Sequence, residues 1–201
     1  MPKQVILILA AGNSSRLGQP KQMLPLSDEA NLLQHTVQVA MDSLADDIVV
    51  VLGSNAGEHD QMLDQWKDQL HIIQNDQWQK GMGSSIKAGV KCIDKEISDW
   101  GGVLISVCDQ PHLRTKIIDQ LIQEGEKCQA PVASQYDPDN FGVPVWFPKS
   151  WQSQLEELPD ERGALFLLKQ IQSELFTLPF PEGETDIDTL DDWKEYLATN
   201  R

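Results

Sequence analysis

A glycine- and serine-rich segment with two basic residues directly follows the first apolar run of this chain. Residues 5–9 are a short run of branched apolar residues that predicts a buried strand, and residues 9–21 (LAAGNSSRLGQPK) continue from it. Small residues let the backbone approach a ligand closely, and successive N–H groups can form a concave anion site. Arg16 and Lys21 add positive charge beside it. The segment therefore predicts a triphosphate site.

The spacing of this segment separates it from two common phosphate loops. A Walker A loop has the form Gly-x-x-x-x-Gly-Lys-Ser/Thr, whereas here five residues separate Gly12 from Gly18 and Lys21 lies three residues further on. The segment also lacks the Gly-x-Gly-x-x-Gly pattern of dinucleotide-binding loops. The alternative to a phosphate site is a plain connection in which Arg16 and Lys21 are only solvated.

Short apolar runs alternate with amphipathic stretches along the chain, which is typical of α/β crossover units around a mostly parallel sheet. The predicted strands are residues 5–9, 47–52, 70–73, 102–107, 130–134, 143–147 and 174–178. The predicted helices are residues 32–44, a stretch through Met62 and Trp66, a stretch with Ser84 and Ser85 at its N-cap, and residues 117–123, 151–158, 163–171 and 190–197. Because the sequence has no internal repeat or linker, residues 1–201 are expected to form a single domain.

Composition argues against several classes of partner. A formal net charge of −15 and an isoelectric point near 4.5 would repel a nucleic-acid backbone, so no nucleic-acid partner is expected. No stretch approaches the roughly 18 consecutive apolar residues of a membrane helix, so we expect no membrane association and a cytoplasmic location. The three cysteines and four histidines lack the spacing of a disulfide framework or a zinc site.

Carboxylates further along the chain offer ligands for a divalent cation. Asp109 follows the predicted strand 102–107, and open α/β sheets bind ligands at the carboxyl ends of their strands. A carboxylate beside a triphosphate is repulsive unless a cation lies between them, and Mg²⁺ prefers one or two carboxylates together with phosphate oxygens and water. Asp186 and Asp188 are two residues apart, so both would project from one face of an extended segment. The alternative is that Asp109 caps the segment after it, and that Asp188 or Thr189 caps the last helix.

Motifs throughout the chain are similar to those of a known enzyme family. The pattern Leu-Ala-Ala-Gly-x-Ser-x-Arg-x-Gly-x-x-Lys at residues 9–21 resembles the signature of nucleotidyltransferases with the nucleotide-diphospho-sugar transferase fold, in particular the molybdenum cofactor cytidylyltransferases. Later motifs follow in the same order, namely NDQWQKGMGSSI at residues 75–86, Asp109-Gln110-Pro111, Gly142-Val143-Pro144, Gly163-Ala164 and Asp186-Ile187-Asp188-Thr189. The resemblance implies a three-layer α/β/α Rossmann-like sandwich with a mostly parallel central sheet.

The resemblance also implies a role for individual residues. Arg16, Lys21 and Asp109 would be catalytic, and Asp109 and Asp188 would bind Mg²⁺, or Mn²⁺ in its place. Gly142, Pro144 and Gly163 would bind the acceptor. The nucleotide would be bound by Leu9, Ala10, Ala11, Gly12, Ser14, Arg16, Lys21, Asn75, Gly81, Ser84, Ser85 and Asp109.

The reaction that the resemblance implies is transfer of CMP from CTP to the terminal phosphate of molybdopterin, a phosphorylated pterin, with release of pyrophosphate. CTP is favoured because the first motif reads Leu-Ala-Ala-Gly, whereas guanylyl relatives carry Leu-Ala-Gly-Gly. The acceptor motifs depart from the family pattern: residues 136–141 (YDPDNF) lack a glycine that relatives carry there, and Leu165 replaces a basic residue. The alternatives are a guanylyltransferase, another pyrophosphorylase, or a non-catalytic carrier. A molybdoenzyme or its chaperone is the candidate protein partner.

Overall fold

The central element is a seven-stranded sheet in this computed structural model, which describes residues 1–14, 17–27, 30–172 and 175–199. The strands are β1 Lys3–Ala10, β2 Asp47–Leu52, β3 His71–Gln74, β4 Trp100–Val107, β5 Val132–Asp137, β6 Asn140–Pro148 and β7 Phe176–Pro179. Their order is β3-β2-β1-β4-β6-β5-β7. Strand β6 runs antiparallel to its neighbours β4 and β5, and the other adjacent pairs are parallel.

Helices cover both faces of this sheet. They are α1 Leu32–Met41, α2 Ala56–Met62, α3 Met82–Glu96, α4 Thr115–Cys128, α5 Gln152–Glu156, α6 Ala164–Gln170 and α7 Leu190–Thr199. Successive side chains of a strand point to opposite faces. Accordingly, Leu7 and Leu9 of β1 pack in one apolar cluster with α3, α5 and α6, whereas Ile6 and Ile8 pack in the other with α1 and α4. The predicted three-layer α/β/α sandwich with a mostly parallel sheet is thereby confirmed.

The order of the strands determines where a ligand can bind. From β1 the chain first adds β2 and β3 on one side, and it then crosses to add β4 on the other side of β1. In open α/β sheets the crevice at such a reversal, beyond the carboxyl ends of the strands, is the usual ligand site. The segments that follow β1 and β4 therefore face the same crevice. In the part of the chain that the structure describes, no helix is long and apolar enough to cross a membrane.

Some predicted elements differ from the structure at their ends. The expected strand 47–52 coincides with β2, but the prediction that Ser84 and Ser85 form an N-cap is wrong. Helix α3 has Gly81 as its N-cap, because Gly81 adopts a φ of 123°, which favours glycine and lets the chain enter the helix earlier. Both serines therefore lie in the first turn of α3.

Other predicted ends also differ from the structure, and one lies outside the described residues. The first helix ends at Met41 rather than at residue 44, because the Ser43 hydroxyl donates to the Ala40 carbonyl and the backbone N–H of Leu44 donates to Asp119. The predicted helix 151–158 is a 3₁₀ turn followed by the short helix α5. The start of the predicted strand 174–178 lies outside the described residues.

His59 makes the stability of this fold sensitive to acid. It lies in α2 with no exposed surface, and neither ring nitrogen has a hydrogen-bond partner among the described residues. Burial lowers its pKa below the ordinary 6.5. The unfolded chain therefore takes up a proton at a higher pH than the folded one, so stability is full above pH 6.5 and falls as the pH drops towards the lower folded pKa.

We expect His59 to lower the free energy of unfolding between pH 7.5 and 5.5, by at most about 1.4 kcal/mol per pH unit. Urea unfolding of the wild type and of His59→Leu at both values measures this effect. The variant should lose less stability than the wild type. Equal losses in the two proteins would contradict the assignment to His59, since His35 and His112 titrate in both.

Candidate active site

A cavity of about 540 Å³ opens at the carboxyl ends of β1 and β4. Its walls are the segment after β1, the turn before α3 and the end of β4. Seven of the residues predicted to bind nucleotide line it, namely Leu9, Ala11, Gly12, Lys21, Gly81, Ser85 and Asp109. The cavity therefore lies in the crevice that the strand order indicates, and both glycine-rich segments contribute to it.

Lys21 joins two of the predicted aspartates beside this cavity. Its ammonium contacts a carboxylate oxygen of Asp109 and lies 3.0 Å from Oδ1 of Asp188. Burial alone would lower the pKa of Lys21, but the charge of Asp109 and its hydrogen bond raise it above the ordinary value. The Lys21 and Asp109 side chains are 16% and 17% exposed, so their charges interact with little screening by solvent. Lys21 is therefore protonated and held by two carboxylates.

Gln22 and Ser14 give the segment after β1 its shape. The Gln22 side chain is buried, and its amide donates to the carbonyl oxygens of Ala10 at 3.0 Å and Gly12 at 2.9 Å. The hydroxyl of Ser14 accepts the backbone N–H of Lys21 at 2.8 Å. Ala10 and Ser14, both predicted to bind nucleotide, are thus held in this network and do not line the cavity. The predicted catalytic residue Arg16 lies outside the described residues.

Asp188 reaches the site because the residues on both sides of it are fixed. The N–H of Ile187 donates to the backbone oxygen of Asp109 at 2.9 Å, and the Ile187 side chain is fully buried in a small apolar cluster. Thr189 and Asp192 cap α7 reciprocally, with the backbone N–H of each bonded to the side chain of the other. The predicted cap at Thr189 therefore exists, and it leaves the Asp188 carboxylate directed to Lys21.

Asp186 adds a third carboxyl group near this pair. Although the residue is exposed overall, protein atoms around the carboxyl and the nearby Asp109 charge raise its pKa to about 7. The charges of Asp109 and Asp188 thus interact unfavourably with Asp186, and the charge of Lys21 offsets part of this repulsion. Asp109 itself has a buried Oδ1 without a hydrogen-bond partner among the described residues.

The turn before α3 is held from inside by Asn75. The Asn75 side chain is buried, and its amide donates to the hydroxyls of Ser84 at 2.9 Å and Ser85 at 3.0 Å. The Ser84 hydroxyl donates to the Gly81 carbonyl at 2.7 Å. Asn75 and Ser84 therefore shape the turn, whereas Gly81 and Ser85 form the cavity wall. Trp78 also lines the cavity. A single indole at such a place is more often a packing residue than a platform for stacking.

The residues predicted to bind the acceptor lie away from the cavity lining. Gly142 and Pro144 are in β6, and Gly163 precedes α6. A Cβ added at Gly163 would lie 2.7 Å from the sulfur of Met82, which does line the cavity. The three residues are therefore not among those that line the cavity with Lys21, although Gly163 lies against Met82, which does.

The donor set suits a hard divalent cation. Asp109 and Asp188 offer carboxylate oxygens on either side of a position already occupied by the Lys21 ammonium. Within the described ranges no group of three or more His, Cys, Asp or Glu side chains is arranged to hold a metal. Two carboxylates with the remaining ligands from phosphate and water are what Mg²⁺ commonly uses, so the residues fit an ion that binds together with a polyphosphate.

Comparison with known proteins relates this geometry to a family. The chain is 28% identical to the purine catabolism protein PucB of Bacillus subtilis (strain 168) over 212 residues, which cover all of this chain and 97% of PucB. It is 32% identical over 126 residues to a probable molybdenum cofactor guanylyltransferase of Bacillus mycoides (strain KBAB4), covering 62% of this chain and 58% of that protein.

Solved structures have the same fold. A nucleotidyl transferase from Methanothermobacter thermautotroptrophicus superimposes with a TM-score of 0.81 at 20% identity, covering 98% of this chain and 99% of that one. The Rv0371c homologue from Mycobacterium sp. strain JC1 gives a TM-score of 0.77 at 29% identity, with coverages of 98% and 96%. The nucleotide-diphospho-sugar transferase fold expected from the sequence is therefore present.

The family model for the MobA-like NTP transferase domain matches residues 6–175. This range includes the segment after β1, the turn before α3 and Asp109, and Asp188 lies beyond its end. The chain belongs to the family of the MobA-like NTP transferase domain and is a nucleotidyltransferase.

Proposed function

We propose that this chain, acting as one domain, transfers CMP from CTP to the terminal phosphate of molybdopterin and releases pyrophosphate. The observation that carries the proposal is the meeting of Lys21, Asp109 and Asp188 beside a cavity walled by two glycine-rich turns. Backbone N–H groups in such turns suit phosphate oxygens, and a lysine between carboxylates suits a site where a polyphosphate and a divalent cation bind together. The product would then pass to a molybdoenzyme or its chaperone.

The proposed reaction is an in-line displacement. An oxygen of the acceptor's terminal phosphate forms a bond to the α-phosphorus of the nucleotide, while the bond from that phosphorus to the bridging oxygen breaks and pyrophosphate leaves with the electron pair. Such transfers depend mainly on positioning and on charge neutralisation, so no protein nucleophile is required. Lys21 would neutralise charge between donor and acceptor, and Arg16 would hold the leaving β- and γ-phosphates.

Asp109 and Asp188 would hold the divalent cation, Mg²⁺ or Mn²⁺. Two features support this assignment: the buried Asp109 Oδ1 that lacks a hydrogen-bond partner among the described residues, and the cationic Lys21 group between the two carboxylates. When bound, such an ion stabilises negative charge on the phosphoryl oxygens.

CTP is the proposed donor because of Ala11, and GTP is the second candidate. Ala11 is 6% exposed and lines the cavity, and we infer that its methyl group would limit the space for a bound base. The relative named as a probable molybdenum cofactor guanylyltransferase supports GTP instead. Pyrophosphate release should be measured with CTP, GTP and ATP against molybdopterin and a panel of sugar and alcohol phosphates. The proposal requires CTP with molybdopterin to give the highest kcat/KM.

Ala11→Gly should shift the donor preference towards GTP. Removing one methyl group from a binding pocket changes discrimination by about 1–3 kcal/mol, so the ratio of kcat/KM for CTP to that for GTP should fall about tenfold or more. Gly57→Ala provides a control, because a Cβ at Gly57 meets nothing within 4 Å. An unchanged ratio in Ala11→Gly would mean that the base does not lie against Ala11.

A further inference from the structure

We propose that Gln110 is a positioning residue that holds the segment of Asp186 and Asp188 against the end of β4, so that Asp188 lies beside Asp109. The inference rests on the proposed function, because it assigns Gln110 a part in forming the cation site. It concerns a side chain that does not line the cavity and would not contact the phosphates.

The Gln110 amide joins three parts of the fold. The side chain is 2% exposed, and Nε2 donates to the backbone oxygen of Gly183 at 2.7 Å and lies 3.1 Å from both the Val143 oxygen and the Tyr136 hydroxyl. Gly183 belongs to the turn Pro181–Glu184, which leads directly into the aspartate segment. Gln110 follows Asp109 in sequence, so one residue links the end of β4 to the turn before the second carboxylate.

This link opposes an electrostatic force that acts on the same segment. Asp109 and Asp188 both contact the Lys21 ammonium, so two like-charged carboxylates lie close together and repel each other. Among the described residues, two hydrogen bonds tie the segment to residues 109 and 110: the Gln110 amide donates to the Gly183 oxygen, and the Ile187 N–H donates to the Asp109 oxygen. Without the Gln110 amide, the turn before Asp186 would lose its hydrogen bond to the end of β4. The Ile187 hydrogen bond and the Lys21 pair would remain, and Asp188 would occupy a wider range of positions.

Only one end of the Gln110 amide is hydrogen-bonded among the described residues, which is unusual for a side chain whose role is packing alone. Its Oε1 is buried without a hydrogen-bond partner among the described residues, which costs about 1–3 kcal/mol for a polar atom in a protein interior. An apolar side chain of the same length would avoid that cost. The amide is therefore explained by what Nε2 holds. An apolar replacement removes the cost at Oε1 but leaves the Gly183 oxygen without this donor.

Gln110→Met tests this role, because methionine has a similar length and no donor. Ser134→Ala is the matched control. The Ser134 hydroxyl is fully buried and donates to the Pro144 backbone oxygen at 2.8 Å. The substitution therefore removes a buried hydrogen bond to the same strand β6 and leaves the segment of Asp186 and Asp188 unchanged. Two quantities should be measured in both variants. They are the hydrogen-exchange rate of the backbone amides of residues 183–188 and the affinity for Mn²⁺ in the presence of a non-hydrolysable CTP analogue.

In Gln110→Met we expect faster exchange at residues 183–188 and Mn²⁺ affinity about 10-fold to 100-fold lower, the usual loss when a group that orients a metal ligand is removed. The concentration of Mg²⁺ for half-maximal rate should rise by the same factor, whereas KM for CTP at saturating Mg²⁺ should stay near the wild-type value. Ser134→Ala should match the wild type in all of these. Equal exchange rates and equal Mn²⁺ affinity in the two variants would overturn the proposal.

Gly183→Ala provides a second approach if Gln110→Met does not fold. A Cβ at Gly183 would overlap the Phe180 ring and crowd Tyr136, so the turn must shift away from an intact Gln110. The same loss of Mn²⁺ affinity is expected, and wild-type affinity would count against the role of the turn. Failure of the proposed function is a separate result: no pyrophosphate release with any donor would reject the reaction, while the exchange rates would still decide whether Gln110 holds the segment.

Discussion

Replacing Lys21 by Ala should lower the rate of nucleotidyl transfer by about 10²–10³, the usual loss when one preorganised group at a developing negative charge is removed. Asp109→Asn should lower it at least as much. Lys21 is the group that links the cavity to both carboxylates, and it is largely buried, so bulk solvent cannot replace its charge. The measurement is single-turnover transfer with the true acceptor at saturating nucleotide.

A control of equal charge change is available on the surface. Lys67 is 52% exposed and pairs with Asp60 and Asp64, and surface ion pairs contribute little. Lys67→Ala should therefore transfer at the wild-type rate. Wild-type turnover in Lys21→Ala or in Asp109→Asn would contradict the roles assigned to them.

Binding of Mn²⁺ without nucleotide distinguishes the role of Lys21 from that of Asp109. Because the Lys21 ammonium occupies the position between Asp109 and Asp188, it competes with a divalent cation for the same oxygens. Lys21→Met should therefore bind free Mn²⁺ more tightly than the wild type, although it transfers more slowly. Asp109→Asn should bind it more weakly. Equal or weaker binding in Lys21→Met would mean that the cation does not bind between these carboxylates.

The sequence was most informative where local pattern and tertiary structure agree. Strand β2 has the predicted bounds because its continuous run of apolar residues is buried on both faces in a parallel sheet. The segment after β1 was recognisable because glycines, serines and basic residues follow a strand within a few positions. The proximity of Lys21 to Asp188, which are 167 residues apart, was inferred through the resemblance and could not be read from local pattern.

Other features of the site depend on contacts that no local pattern records. Ser84 and Ser85 fit an N-cap by residue type, but close packing of Gly83 against the Pro159 carbonyl and the conformation of Gly81 determine where α3 begins. Gln22 and Gln110 were not predicted as site residues, since a lone glutamine is usually exposed. Their position next to Lys21 and Asp109 was the signal that could have identified them as supports for those two residues.

Trp146→Ala should cost about 3–5 kcal/mol of folding stability, the range for deleting a fully buried tryptophan side chain. Trp146 lies in β6 with 1% of its surface exposed, and its indole N–H donates to Gln4 Oε1 at 3.0 Å. Gly102 in β4 and Gly125 in α4 flank the ring so closely that a Cβ at either would overlap it. The two glycines therefore provide the space for the indole between the sheet and α4, and truncation would leave a cavity there.

The pairing of Trp146 with the glycines can be tested as a double-mutant cycle. Gly125→Ala should destabilise the wild type because the methyl group overlaps the indole, and it should be much less harmful in a Trp146→Ala background, where the ring is absent. Urea unfolding of the four proteins gives the coupling energy, and Trp66→Ala, at a partly exposed indole, is the control for loss of a tryptophan. Val143 in β6 accepts a hydrogen bond from Gln110. A substitution that shifts β6 should therefore lower the affinity for the cation as well as the stability of the core. Additive effects of the two substitutions would show that the ring does not require Gly125.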